Sequence, residues 1–142
     1  MAAGFSYASL AEAEHQGRPA ALCTIVRARG SVPRHAGAKM LVYADGQTLG
    51  TIGGGEMESR VVQAAREALA DGAPRTVNYQ LADPRAGDPG VCGGEVEVFI
   101  DPVRPVPTLL VIGGGHVGRA LVHLGRWLGF RVALSDDRPE FA

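Results

Sequence analysis

No apolar run in this chain approaches the roughly 18 residues that a membrane span requires, and the opening MAAGFSYASL lacks the basic start and long apolar core of a secretory signal. The expected setting is therefore cytoplasmic, with no membrane partner. Cysteine is almost missing: Cys23 and Cys92 are the whole complement, which makes no disulfide framework and leaves no closely spaced Cys and His cluster for zinc. Charge of one sign is missing as well. Lys and Arg number 14 against 15 Asp and Glu, for a formal net charge of -1. That balance excludes a broadly basic nucleic-acid binder, so any phosphate site must be local. No Ser-His-Asp or Cys-His arrangement stands out that would argue for nucleophilic catalysis.

What is present is glycine, 20 residues in 142, set mostly in turns between regular segments. With 46% apolar and 20% charged residues the chain has the composition of a folded domain. Residues 5–16 read as a short amphipathic helix with Phe5, Leu10 and Ala13 on one side, and AALCTIVRA (20–28) reads as a strand. KMLVYADGQTLGTI predicts a hairpin turning at Asp45-Gly46. From Glu56 to Leu69, the residues Met57, Val61, Val62, Ala65 and Leu69 fall at helical spacing. RTVNYQLA is a strand candidate, LADPRAGDPGVCGG a long turn-rich loop, and EVEVFIDP alternates strictly, as a strand does. PVRPVP (102–107) is a stiff spacer and marks the expected boundary between a domain at 1–101 and another beginning at 108. After it, TLLVI, a helix from His116 to Leu128, and RVALSDD make one β-α-β unit. The expected fold is α/β: a small N-terminal α/β domain followed by the first β-α-β unit of a Rossmann-type parallel sheet. A complete sheet of that kind has about five or six strands, so residues 108–142 are expected to be incomplete, and exposed sheet edges favour a homo-oligomer.

Two runs of three glycines follow apolar strands and precede helices: TIGGGEMESR (51–60) and VIGGGHVGR (111–119). Strand, glycine turn and helix N-terminus together suit an anion. The second run carries the dinucleotide fingerprint in its proper context: Gly113, Gly115 and Gly118 follow a strand, and Asp136 ends the next strand, where it would meet ribose hydroxyls. His116 reads as a solvated residue of the first helical turn. The first run fails that test, because Glu58 stands where the third glycine belongs. Its acids Glu56 and Glu58 suit the helix dipole but repel phosphate. Gly53, Gly54 and Gly55 are therefore either a tight strand-to-helix turn with acidic capping or a site whose amides and a carboxylate take a donor-rich ligand such as a pterin or a purine.

Between these runs lies a loop rich in basic residues. Arg27, Arg29, Arg34, His35 and Lys39 fall in a stretch without an acid. RGSVPRHAGAK superficially resembles a Walker loop, but its glycine spacing is too long and no Ser or Thr follows Lys39. Ser31, a proline-fixed turn, Arg34 and Lys39 remain the makings of a phosphate clamp; the alternative is a solvated basic loop. Cys92 sits in a glycine-flanked loop, either as a reactive or soft-metal thiol or as a half-buried bystander. Cys23, in an apolar strand, is expected in the core.

Taken together, RGSVPRHAGAKMLV, DGQTLGTIGGGEMES, VCGGEVEVFIDP and LLVIGGGHVGRALVHLGRWLGFRVALSDDRPEFA resemble the XdhC/CoxI family, the maturation factors of xanthine dehydrogenase and other molybdenum hydroxylases. The matching stretches cover most of the chain in the right order. The resemblance implies a non-enzymatic chaperone that binds and protects molybdenum cofactor (molybdopterin), presents it for sulfuration, and delivers it to an apo-molybdoenzyme of the xanthine dehydrogenase class, with a cysteine desulfurase as a further partner. It places Ser31, Pro33, Arg34, Gly37, Lys39, Gly53–Gly55 and Cys92-Gly93-Gly94 at the family's motifs, and Glu58 at its acid. Relatives commonly carry Cys or His after the three glycines, where this chain has Glu56. The cofactor's phosphate would suit the glycine loops with Arg34 or Lys39, its pterin edge Glu56 or Glu58, and its molybdenum Cys92. Two other functions compete with this one: an NAD(P)-dependent oxidoreductase using the Gly113 loop, and a sulfur-transfer protein acting through Cys92.

Overall fold

In a computed structural model the described residues are 4–80 and 94–141. They fall into two units, Met1–Pro105 and Val106–Ala142. The fold is mixed α/β, and each unit is built from a sheet with helical cover.

In the first unit, Ser6 caps helix α1 (Tyr7–His15), its hydroxyl accepting the Ser9 N–H at 3.1 Å. Five antiparallel strands follow: β1 (Ala20–Arg29), β2 (Lys39–Tyr43), β3 (Thr48–Gly50), β4 (Arg75–Gln80) and β5 (Glu95–Val103). They lie in the order β3-β2-β1-β5-β4. Helix α2 (Gly55–Asp71) crosses one face. Its residues Met57, Val61, Ala65 and Ala68 are buried against Cys23, Ile25, Met40, Val42, Val96, Val98 and Ile100. Val62 and Leu69, which share the expected apolar stripe, lie at its margin. Each fully buried aliphatic chain here contributes about 1.5–3 kcal/mol relative to exposure. The opposite face is covered at its β1–β2 end, where Phe5, Leu10 and Ala13 pack with Ala20, Leu41 and Tyr43. The predicted hairpin forms with Met40 opposite Gly50 and Val42 opposite Thr48, and the Tyr43 carbonyl accepts the Gly46 N–H in the turn.

One irregularity decides where the charges go. In β1, Ala21, Cys23 and Ile25 alternate inward, so an unbroken strand would aim Arg27 and Arg29 into the core as well. The register slips instead: Ile25 pairs with Val98 and Arg27 with Glu97, leaving Val26 as the extra residue of a β-bulge. Beyond the bulge Arg27 stands opposite Glu97, within ion-pair distance at 3.4 Å, Arg29 stands opposite Glu95, and Ala28 takes the inward place opposite Val96. Strand β5 runs one residue further than EVEVFIDP suggests. Val103, read from sequence as part of the spacer, pairs with Ala20, and Pro102, shared by both readings, pairs with Ala21.

In the second unit, β6 (Thr108–Ile112) and β7 (Arg131–Ser135) pair in parallel, Thr108 opposite Arg131 and Ile112 opposite Ser135, and helix α3 (His116–Trp127) connects them. Two glycines bring α3 down onto the strands. A Cβ on Gly118 would lie 1.7 Å from the Gly113 carbonyl oxygen, and one on Gly125 would lie 2.7 Å from Leu109 Cδ2. Val111 is buried, while Leu110, Ile112, Val117 and Trp127 are exposed. Among the described residues no helix is long and apolar enough to cross a membrane.

Candidate functional site

The first glycine turn begins where β3 ends. Gly53, Gly54 and Gly55 all have positive φ, at +138°, +82° and +67°, a region that side chains disfavour. This path folds the backbone N–H groups ahead of α2 around one point, and Glu58 reaches back from the first helical turn to fill it. Its Oε1 accepts the N–H groups of Ile52 (2.9 Å), Gly53 (3.2 Å) and Gly54 (2.9 Å), together with the Thr51 hydroxyl. Burial raises the Glu58 pKa, but the hydroxyl and the three amides outweigh it, and the carboxyl is held below its ordinary value. The neighbouring Glu56 turns to Arg60, at 2.6 Å.

Two other segments close on this turn. A Cβ on Gly53 would lie 2.7 Å from Pro33 Cγ and 3.0 Å from Met57 Cε, so the proline of the SVPR loop is seated directly on the glycine. A Cβ on the buried Gly94 would lie 2.2 Å from the Ser31 carbonyl oxygen and 2.7 Å from Val32 Cγ1. The 31–34 loop is thus held between Gly53 and Gly94, and both contacts require the absence of a side chain. Ser31, Arg34 and His35 are exposed on this loop, and Arg34 has no partner among the described residues.

The structure divides the remaining basic residues. Lys39 pairs with Thr24 across β2 and β1, its Nζ donating to Thr24 Oγ1 at 3.4 Å, on the sheet face opposite α2. It therefore does not join Arg34 at the glycine turn. The bulge turns Arg27 toward Glu97 on that same far face. Cys92 and Gly93 lie outside the described residues. Cys23 is fully buried, and burial pushes its thiol up to about 12, so it stays protonated and inert. Among the described residues no group of three or more His, Cys, Asp and Glu is placed to hold a metal ion.

In the second unit Gly113 (φ +99°) makes the tight turn, Gly115 precedes α3 and Gly118 packs against the loop. His116 is exposed at the helix start. Asp136 does not stand open for ribose hydroxyls. Its Oδ2 accepts the Gly114 N–H and Arg138 Nη2, and its Oδ1 accepts the Arg138 N–H (2.9 Å) and Nε (3.0 Å). The Arg138 guanidinium and these N–H donors hold the carboxyl well below the usual carboxylate range. Phe141, in the short 3-10 turn Pro139–Phe141, lies against the same loop, its carbonyl oxygen 2.2 Å from where a Gly114 Cβ would be. Sequence spacing gave no sign of this closure, because the partner is an arginine only two positions beyond the acid.

A five-stranded antiparallel sheet carrying the SVPR loop and a Glu-clasped triple glycine, followed by a β-α-β unit, has counterparts of known family. The model of the XdhC and CoxI family matches residues 13–80, and the chain belongs to that family. It is similar to the uncharacterized protein YqeB of Escherichia coli (strain K12), with 42% identity over 131 residues, 92% of this chain and 24% of the relative. It is also similar to the molybdenum cofactor insertion chaperone PaoD of the same organism, with 32% identity over 101 residues, 71% of this chain and 32% of the relative. The chain thus spans about a quarter to a third of the length of these curated relatives. A solved structure from Bacillus halodurans, described as a xanthine dehydrogenase, shares the fold at TM-score 0.62 and 20% identity, over 96% of this chain and 64% of that one.

Proposed function

We propose that this chain is part of a molybdenum cofactor maturation chaperone, which binds the cofactor and hands it to a molybdoenzyme of the xanthine dehydrogenase class, supporting its sulfuration. The observation that carries the reading is the meeting of three sequence motifs at one place: the SVPR loop, the Gly53 turn, and Gly94 at the end of the VCGG stretch. Family membership and the similarity to PaoD support the choice of ligand.

The residues present fit such a cofactor in part. Arg34 and His35 are exposed donors on a loop seated on bare glycine, and an arginine fork suits a phosphate. Ser31 is exposed on the same loop and adds a hydroxyl to it. When bound, the cofactor supplies a molybdenum held by a dithiolene, the centre that a molybdoenzyme needs. The chain's own part is to hold and orient that group and shield it until transfer, which is binding and not turnover. The amides of Gly53 and Gly54 are engaged by Glu58 and take no share in phosphate binding in this arrangement. Lys39, on the other face, takes none either.

The test is anaerobic mixing of the purified chain with molybdenum cofactor, then gel filtration and fluorescence detection of retained pterin. Near-stoichiometric retention is expected. A folded chain that retains no pterin would contradict the proposal.

A further inference from the structure

We propose that Glu58 is a built-in anion and a positioning residue: it shapes the Gly53–Gly55 turn and closes it to external phosphate, and it does not touch the cofactor. The inference rests on the chaperone reading for the site's purpose, but its geometric part stands alone. One carboxylate oxygen gathers the Thr51 hydroxyl and the N–H groups of Ile52, Gly53 and Gly54. A glycine turn with three successive positive φ values has no side chains of its own to hold that path. A single charged acceptor for three amides supplies the missing restraint, since charge-assisted hydrogen bonds are the strong ones.

The consequence reaches the loop. Pro33 rests on Gly53, and Arg34 follows it, so the shape of the turn sets where Arg34 stands. An arriving phosphate would find the Ile52–Gly54 amides taken and two carboxylates, Glu58 and Glu56, beside it, with Glu56 already paired to Arg60. The fourth residue of the helix therefore plays the part that a bound phosphate plays in nucleotide-binding loops, from within the chain.

The experiment uses the full chain labelled with ¹⁵N, following the amide resonances of Ile52, Gly53 and Gly54. Saturating inorganic phosphate is expected to leave all three in place; movement of the three together would overturn the proposal. Cofactor retention is then compared for Glu58→Gln, which keeps an acceptor oxygen at the same reach, and Glu58→Ala, which removes it. Glu58→Ala is expected to weaken retention about tenfold, equivalent to 1.4 kcal/mol, and Glu58→Gln to restore most of it. Equal loss in both, with the three amides unmoved in the Gln variant, would mean that the carboxylate contacts the ligand and would overturn the positioning role. If Glu58→Ala does not fold, Thr51→Val, with a milder loss of retention expected, and the phosphate titration of the unmodified chain still decide. If the unmodified chain retains no pterin, the chaperone reading falls, while the phosphate titration still judges the clasp.

Discussion

The triple glycine at Gly53–Gly55 follows an antiparallel hairpin, whereas that at Gly113–Gly115 links two parallel strands, and in both a carboxylate from the same unit takes backbone N–H groups. The acid comes from a different direction in each. Glu58 reaches back from the helix that the turn starts, so one element is stapled to its own approach. Asp136 comes from the end of the next strand and is itself held by Arg138. The helix contact differs too. Behind the first turn a side chain, Met57, fills the space; behind the second nothing fits, and Gly118 lies against Gly113. A glycine-rich turn before a helix is therefore no sufficient sign of a phosphate site: what occupies its amides decides.

The largest effect that would break this comparison is at the second turn. Gly118→Val pushes side-chain atoms into the Gly113 backbone, which cannot give way as a flexible side chain does. Overpacking of this kind costs about 3 kcal/mol or more, and early loss of α3 signal in thermal unfolding followed by NMR is the expected outcome. Next in size is removal of the clasp. Glu58→Ala leaves part-buried amides without their acceptor, at roughly 2 kcal/mol, seen as a lower unfolding midpoint for the first unit. Asp136→Ala frees one turn amide, that of Gly114, where Glu58 serves three, and is expected to cost less in the same measurement.

Acid gives a finer contrast. Both carboxyls are depressed, so each contributes stability above its unfolded value, 4.5 for Glu58 and 3.8 for Asp136, and loses it only as pH falls through the lower folded value. Asp136 is the more strongly depressed, because a guanidinium adds to the amides. On acidification the Gly54 amide resonance is thus expected to move before that of Gly114. The reverse order would show that the Arg138 pair does not persist in solution. Arg138→Ala is expected to bring the two transitions together, because its guanidinium is the largest cause of the Asp136 depression.

Much of the scaffold follows from pattern alone. The hairpin at Asp45-Gly46, the α2 stripe and the β-α-β unit come from local spacing, and the structure has them. What spacing hides is register. The alternation in AALCTIVRAR sends Arg27 inward, and only the bulge at Val26 returns it to the far face beside Glu97. A bulge is chosen by the fit of neighbouring strands, which no single segment encodes. The candidate site shows the same limit. Ser31, Arg34 and Gly53 are all visible as motif residues, yet that Ser31 sits on Gly94 depends on pairing of β1 with β5, and that Pro33 sits on Gly53 depends on the pairing of β1, β2 and β3. Lys39 lies close to Arg34 in the chain, but its strand position turns it to the sheet face opposite α2. Spacing offers Glu58 as a cap of its own helix and Asp136 as a ribose acid, but which amides each engages is settled only where the folded turns converge.

The most direct measurement is cofactor retention by Arg34→Ala beside Lys39→Ala, each as the folded full chain under anaerobic conditions. Both substitutions remove one positive charge from the same sequence motif, Arg34→Ala from the exposed loop seated on Gly53 and Lys39→Ala from strand β2 beside Thr24. Loss with Arg34→Ala and retention with Lys39→Ala is the predicted result. Equal retention by both, or loss with Lys39→Ala alone, would contradict a site formed by the SVPR loop on the Gly53 turn.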